Sequence, residues 1–129
     1  MAVRTLHVGD DGWPLMGEVV GRGELIIMLH GGGPDHYSMR PLADRLANRY
    51  RVVLPDIRGY GASRCPDPAL HRWDQYVADV IAIMHALDAP SAHLVGAGIE
   101  QVADVLDGAH TAAHGERDKH LAGHALAHF

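Results

Sequence analysis

Three short, almost wholly apolar runs, each leading into a glycine-rich turn, constrain this chain more than any other feature. Glu24 to His30 (ELIIMLH) leads into Gly31-Gly32-Gly33-Pro34. Arg51 to Pro55 (RVVLP) leads into Asp56-Ile57-Arg58-Gly59-Tyr60-Gly61-Ala62-Ser63, and Ser91 to Gly96 (SAHLVG) into Ala97-Gly98. Unbroken apolarity over so short a run marks a strand covered on both faces, because a strand with one wet face alternates. Glycine beyond the strand lets the backbone turn sharply and come close to whatever lies there.

What lies between the runs completes the pattern. Met39, Leu42, Ala43, Leu46 and Tyr50 recur at helical spacing, with Ser38 placed to cap the first turn. Trp73, Tyr76, Val77, Val80, Met84 and Leu87 define a longer helix, predicted to stop at Ala89-Pro90 because proline restricts the residue before it. Ahead of these, residues 3–8 alternate, Asp10-Asp11-Gly12 signals a turn, and residues 15–20 form the return strand of a hairpin closed by Gly21-Arg22-Gly23. Strands alternating with helices require right-handed crossovers. The predicted fold class is therefore α/β, a mostly parallel sheet flanked by helices on both faces, as one domain over residues 1–129.

Composition narrows the possible partners. The 11 Lys and Arg residues are scattered and outnumbered by 16 Asp and Glu, for a formal charge of -5, so no basic surface for nucleic acid is expected. No apolar run reaches the roughly 20 residues that span a bilayer, and the first residues carry no apolar leader core. The single cysteine, Cys65, excludes an internal disulfide and fits a reducing compartment, so the expectation is a cytoplasmic protein without a membrane partner.

Taken together, His30-Gly31-Gly32-Gly33-Pro34, Asp56 to Ser63 and His93-Leu94-Val95-Gly96-Ala97-Gly98 resemble, in order and spacing, three motifs of the α/β-hydrolase fold superfamily. The resemblance covers residues 1–99 and implies a shortened form of that family's three-layer sandwich. DIRGYGAS is similar to the loop of epoxide hydrolases and haloacid dehalogenases of this fold. HGGGP is similar to enzymes that hydrolyse carbon–carbon bonds in ring-cleavage products. The family implies a small organic substrate, with an ester, epoxide or carbon–carbon bond to be broken, and no cofactor or metal.

The resemblance also assigns roles. Gly32 or Gly33 would bring one backbone amide to a developing oxyanion, where fixed N–H dipoles stabilise the transition state, and Ile99 would supply the second; the alternative is a glycine-rich strand-to-helix turn that binds nothing. Asp56 and Arg58 are expected to brace their loop rather than meet substrate. Where the family's G-x-S-x-G elbow carries its nucleophile, this chain has Gly98, within Gly96-Ala97-Gly98-Ile99-Glu100. A glycine has no side chain with which to form a covalent intermediate, so the usual two-step mechanism cannot pass through this position.

Beyond Ile99 the chain reads as though the middle of the family's fold were removed. Val105 to His110 followed by Glu116 to Phe129 is similar to the family's closing segment, in which a strand delivers a histidine before a final helix. A parallel neighbour to the third strand cannot begin at Gln101, because the crossover would be too short. Ile99, Val102, Ala103 and Leu106 instead repeat as a short helix stopped by Gly108. His110 is the candidate general base, with an ordinary loop histidine as the alternative.

The tail from His110 onward holds five of the 11 histidines. His120, His124 and His128 lie one helical turn apart, and His110 and His114 share that spacing. No Cys, Asp or Glu completes a metal-ligand motif, so the stripe is read as a solvated helix face that would adhere to nickel resin.

Three functions follow from the resemblance. One is a hydrolase-like protein that activates water through His110, and another is a non-catalytic member binding a small apolar ligand. The third is an activity like that of the cofactor-free oxygenases of this fold, which rely on a His-Asp pair. A sheet shortened after its third buried strand leaves an edge open, and so a homo-oligomer is expected.

Overall fold

The computed structural model describes residues 3–9, 12–31 and 35–96, together with 121–122 and 126–128. The chain opens with the predicted hairpin, β1 (Val3–Val8) pairing antiparallel with β2 (Leu15–Gly21) in the register Val3 to Val20 and Val8 to Leu15. The three apolar runs become β3 (Glu24–Leu29), β4 (Tyr50–Pro55) and β5 (His93–Gly96). Both β4 and β5 lie parallel to β3, on either side of it. The sheet order through these strands is β1-β2-β4-β3-β5, with β2 antiparallel to β4.

The alternation of side chains divides the core in two. From β3, Leu25, Ile27 and Leu29 point to one face, where they meet Val53 of β4, Leu94 of β5 and the apolar side of α2 (Trp73–Ala86), made of Val77, Val80, Ile83 and Met84. Ile26 and Met28 point to the other face with Val52 and Leu54, packing on Ala43 of α1 (Arg40–Leu46) and on Ala47 just beyond it. Helices thus cover both faces, which is why β3 needed no polar alternation. Burying each of the Val, Leu, Ile and Met side chains among these contributes about 1.5–3 kcal/mol. Gly17, within β2 and opposite Pro55 of β4, serves the same packing, since a Cβ there would run into the Leu54 carbonyl oxygen.

Several boundaries differ from the sequence expectation. Ser38 does not cap the first helix. Asp35 accepts the Tyr37 amide and starts a 3-10 turn over His36–Met39, and Arg40 then begins α1 with Pro41 in its first turn. Tyr50 opens β4 instead of extending α1. The longer helix ends at Ala86, ahead of Pro90, because Asp88 turns left-handed at φ 51° and the Ala89 amide reaches back to the Met84 carbonyl at 2.9 Å. This is a closure of the kind in which the first residue beyond a helix reverses hand to satisfy the last carbonyls.

The predicted histidine-striped helix is also corrected at its described residues. Leu121–Ala122 (β6) and Leu126–His128 (β7) are short antiparallel strands, and β7 lies against β5 with His128 opposite His93. The free ladder of β5 supplies the hydrogen-bond partners that a lone helix would not use. That pairing occupies the edge on which the expected self-association was argued. The short helix from Ile99 to Leu106 lies outside the described residues.

Candidate active site at the carboxyl edge of the sheet

Parallel pairing fixes where the motif loops emerge. The registers Ile27 to Val53 and Leu29 to Gly96 bring the ends of β4, β3 and β5 to one edge of the sheet, with β3 in the middle. In open α/β sheets the crevice beyond the carboxyl ends of the strands is where ligands bind. Gly31 after β3 and the Asp56 loop after β4 therefore leave the sheet where chemistry is expected.

His30 joins the two loops. Its ring is 2% exposed, its Nδ1–H donates to the Gly31 carbonyl at 2.8 Å, and its Nε2 accepts the amide of Ile57 at 3.0 Å. An amide donor requires a lone pair on Nε2, so these partners fix the tautomer with hydrogen on Nδ1. Both nitrogens are occupied in structural bonds, and Tyr60 packs edge-on against the ring at 5.4 Å.

Asp56 organises the second loop. Its Oδ1 accepts both the amide and the Nδ1–H of His36, at 2.8 and 2.7 Å, while Oδ2 accepts the Ala62 amide at 2.9 Å. Burial pushes this carboxyl up, but the amides of Ala62 and His36 and the His36 ring outweigh that and hold it below the ordinary carboxylate range. Gly61 makes the loop possible. Its φ is +49°, and a Cβ there would lie 2.6 Å from the Asp56 carboxylate.

The expected bracing role of Asp56 and Arg58 is therefore what the geometry gives. Arg58 forks onto Asp79 of α2, Nε to Oδ2 at 2.8 Å and Nη2 to Oδ1 at 2.7 Å, and a third nitrogen donates to the Trp13 carbonyl at 3.2 Å. Hydrogen bonding to Asp79 pushes the guanidinium above its ordinary value against the opposing effect of burial. One arginine thereby ties the Asp56 loop to a helix and to the first hairpin. Ser63 is also structural, since its Oγ accepts the Met16 amide at 2.8 Å and donates to the Met16 carbonyl at 3.3 Å.

His36 was not singled out by sequence reasoning. It is 5% exposed, and its Nε2 lies 2.7 Å from Glu18 Oε1, whose other oxygen accepts from Arg40 at 2.9 Å. The only sequence signal was indirect, a lone carboxylate, Glu18, inside an otherwise apolar strand. Of the residues assigned by resemblance, Gly32, Gly33, Gly98, Ile99 and His110 all lie outside the described residues. Among the described residues no group of three or more His, Cys, Asp or Glu is arranged to hold a metal ion. A cleft of about 230 Å³ between Glu24, Arg51, Asp88 and His93 opens at the amino ends of β3 and β5, the edge opposite the motif loops.

Sequence comparison agrees with this architecture. A family-wide description of the alpha/beta hydrolase fold matches residues 24–97, more than half of the chain. The chain belongs to the α/β-hydrolase fold family. It is 34% identical over 98 residues to a 2-hydroxymuconate semialdehyde hydrolase of Pseudomonas sp. strain CF600, covering 73% of this chain and 31% of that protein. It is 32% identical over 96 residues to an epoxide hydrolase of Caballeronia sordidicola, covering 73% of this chain and 29% of that one. Among solved structures, an epoxide hydrolase from an endophytic Streptomyces superposes with a TM-score of 0.73 at 32% identity, over 80% of this chain and 32% of that chain. The α/β-hydrolase segment thus spans about a third of the length of these relatives. Among the described residues no helix is long and apolar enough to cross a membrane.

Proposed function

We propose that the carboxyl edge of β4-β3-β5 is a hydrolase-like site for a small organic substrate carrying an ester, epoxide or carbon–carbon bond to be cleaved. The observation that carries this reading is the His30–Ile57 hydrogen bond, which ties the chain leaving β3 to the glycine-bearing loop after β4 at that edge. Relatives named for epoxide and semialdehyde hydrolysis support the substrate range.

In this reading Gly32 or Gly33 supplies the first oxyanion-hole amide and Ile99 the second, so that charge developing on a substrate oxygen meets fixed N–H dipoles in a site shielded from water. With glycine at position 98 there is no side chain to be acylated or alkylated. Attack is then by water, with His110 as the general base that takes its proton. The protein is proposed to act in the cytoplasm.

Steady-state hydrolysis of short-chain nitrophenyl esters and of a styrene-type epoxide by the full chain tests the reading, with His110→Ala as the comparison. The expected result is turnover that falls at least tenfold in the variant. Equal rates in the two proteins remove His110 from the mechanism. Saturable binding of an apolar ester analogue without any turnover supports instead the non-catalytic, ligand-binding reading, which the missing side chain at Gly98 favours.

A further inference from the structure

We propose that His36 is a proton-held latch between β2 and the Asp56 loop, closed while its ring carries hydrogen on both nitrogens and open once one is lost. The ring is 5% exposed and lies between two carboxylates on different elements, Glu18 Oε1 at 2.7 Å from Nε2 and Asp56 Oδ1 at 2.7 Å from Nδ1. An ionised carboxylate only accepts hydrogen bonds, so both contacts stand together only with both nitrogens protonated. Removing one proton sets a nitrogen lone pair against a carboxylate oxygen at hydrogen-bond distance, in a largely buried place. Such a contact is repulsive, and the ring or the carboxylate must move.

The consequence reaches beyond the ring. Asp56 Oδ1 also accepts the His36 amide, and Asp56 Oδ2 accepts the amide of Ala62, which lies in the turn closed by Gly59 and Ser63. His36, Asp56 and the 59–63 turn are therefore one connected unit, and displacing the ring loosens the carboxylate that holds the Ala62 amide.

The charged groups around the ring favour the closed state. Glu18 faces it from β2 and Asp56 from the end of β4, while Arg40 of α1 bonds Glu18 Oε2 and is shared with Asp44 one turn on. Tyr37 stacks on the ring at 4.2 Å, and Asp35 holds the Tyr37 amide in the same 3-10 turn. Burial pulls the imidazole down, but the bonds to Glu18 and Asp56 and their charges outweigh it, leaving the ring above its ordinary value. The latch is accordingly shut at pH below the ring's own raised titration and released above it. It stands whether or not the neighbouring edge turns over a substrate.

Nuclear magnetic resonance of the full chain tests this. Long-range proton–nitrogen spectra follow the His36 ring from about pH 6 to about pH 9.5, alongside the exchange protection of the Ala62 amide corrected for intrinsic exchange. The expected result is a ring that carries hydrogen on both nitrogens at the acid end of that range and titrates above 6.5. Ala62 protection is expected to fall about tenfold or more over the same interval. His36→Gln should flatten that profile. Glu18→Gln, nearly isosteric and read on the native ring, should lower the ring's midpoint. A ring that titrates at or below 6.5, Ala62 protection flat through its titration, or a midpoint unmoved in Glu18→Gln would each overturn the latch.

Discussion

The His30 imidazole accepts the Ile57 amide at 3.0 Å, so the loop that leaves β3 and the loop that leaves β4 share a single buried side chain. Replacing the ring by a methyl group leaves the Ile57 N–H facing a cavity without an acceptor. His30→Ala is expected to cost about 2–4 kcal/mol, the sum of an unmet buried donor and lost packing. Urea unfolding followed by circular dichroism measures it, and a loss under about 0.5 kcal/mol would mean that water replaces the ring.

Arg58 and Asp79 form the strongest directed contact around the edge, with side chains 6% and 11% exposed. Because both partners are desolvated, removing one strands a charge, whereas removing both does not. Asp79→Leu alone is expected to cost about 3–5 kcal/mol, and the Arg58→Met, Asp79→Leu pair distinctly less than the sum of the two single changes. A double-mutant cycle by denaturant unfolding checks this, and simple additivity would show the pair to be independent.

Much of this was legible in advance. The apolar runs at β3, β4 and β5 announced strands covered on both faces, and the glycine motifs marked which ends of those strands matter. Asp56 and Arg58 read correctly as braces. His36 did not, because its importance comes from Glu18, eighteen residues earlier on a hairpin strand, and from Asp56, twenty residues later. Sequence periodicity reports which face of an element is buried, and it carries no signal for three polar side chains that three separate elements bring together. The same reason explains Ser38, an acceptable cap by residue type, displaced by Asp35 because the chain leaves the glycine loop through a 3-10 turn first.

The pH dependence of stability has two sides. Asp56 is held below its ordinary value of 3.8, so its contribution is complete above that value and is lost as the pH falls through the folded-state one. His36 is held above 6.5, so its contribution is complete below that value and disappears as the pH rises through the folded-state one. Stability is expected to be greatest between these limits. Asp56→Asn should reduce the acid limb, and His36→Gln the alkaline limb, in plots of the urea midpoint against pH. An alkaline limb unchanged in His36→Gln would assign it to another group.

Gly61 combines a left-handed φ of +49° with an Asp56 carboxylate that occupies the space of any Cβ. Backbone strain for an L-residue there is about 1–2 kcal/mol, and the clash with a carboxylate already fixed by two elements adds to it. Gly61→Ala is therefore expected to destabilise by at least about 2 kcal/mol. Gly12, at φ +98° with nothing within 4 Å of its Cβ position, serves as the control, and Gly12→Ala should cost only the strain. Equal losses at the two positions would leave the carboxylate contact without effect.

Ser63 ends the Asp56 motif with the motif's one aliphatic hydroxyl, yet it is 1% exposed and both accepts from and donates to the backbone of Met16. A nucleophilic serine needs a free trajectory toward an electrophile and a base to receive its proton, and this hydroxyl has its proton committed to a carbonyl oxygen. With glycine at position 98, a fluorophosphonate probe is expected to leave the native chain unlabelled, as read by intact-protein mass spectrometry. Ser63→Ala should then leave any ester hydrolysis unchanged per folded molecule while lowering stability by about 1–3 kcal/mol, since the Met16 amide loses its acceptor. Adduct formation mapped to Ser63 would instead require the β2 contact to open during turnover, and with it a nucleophile that the folded geometry keeps out of reach.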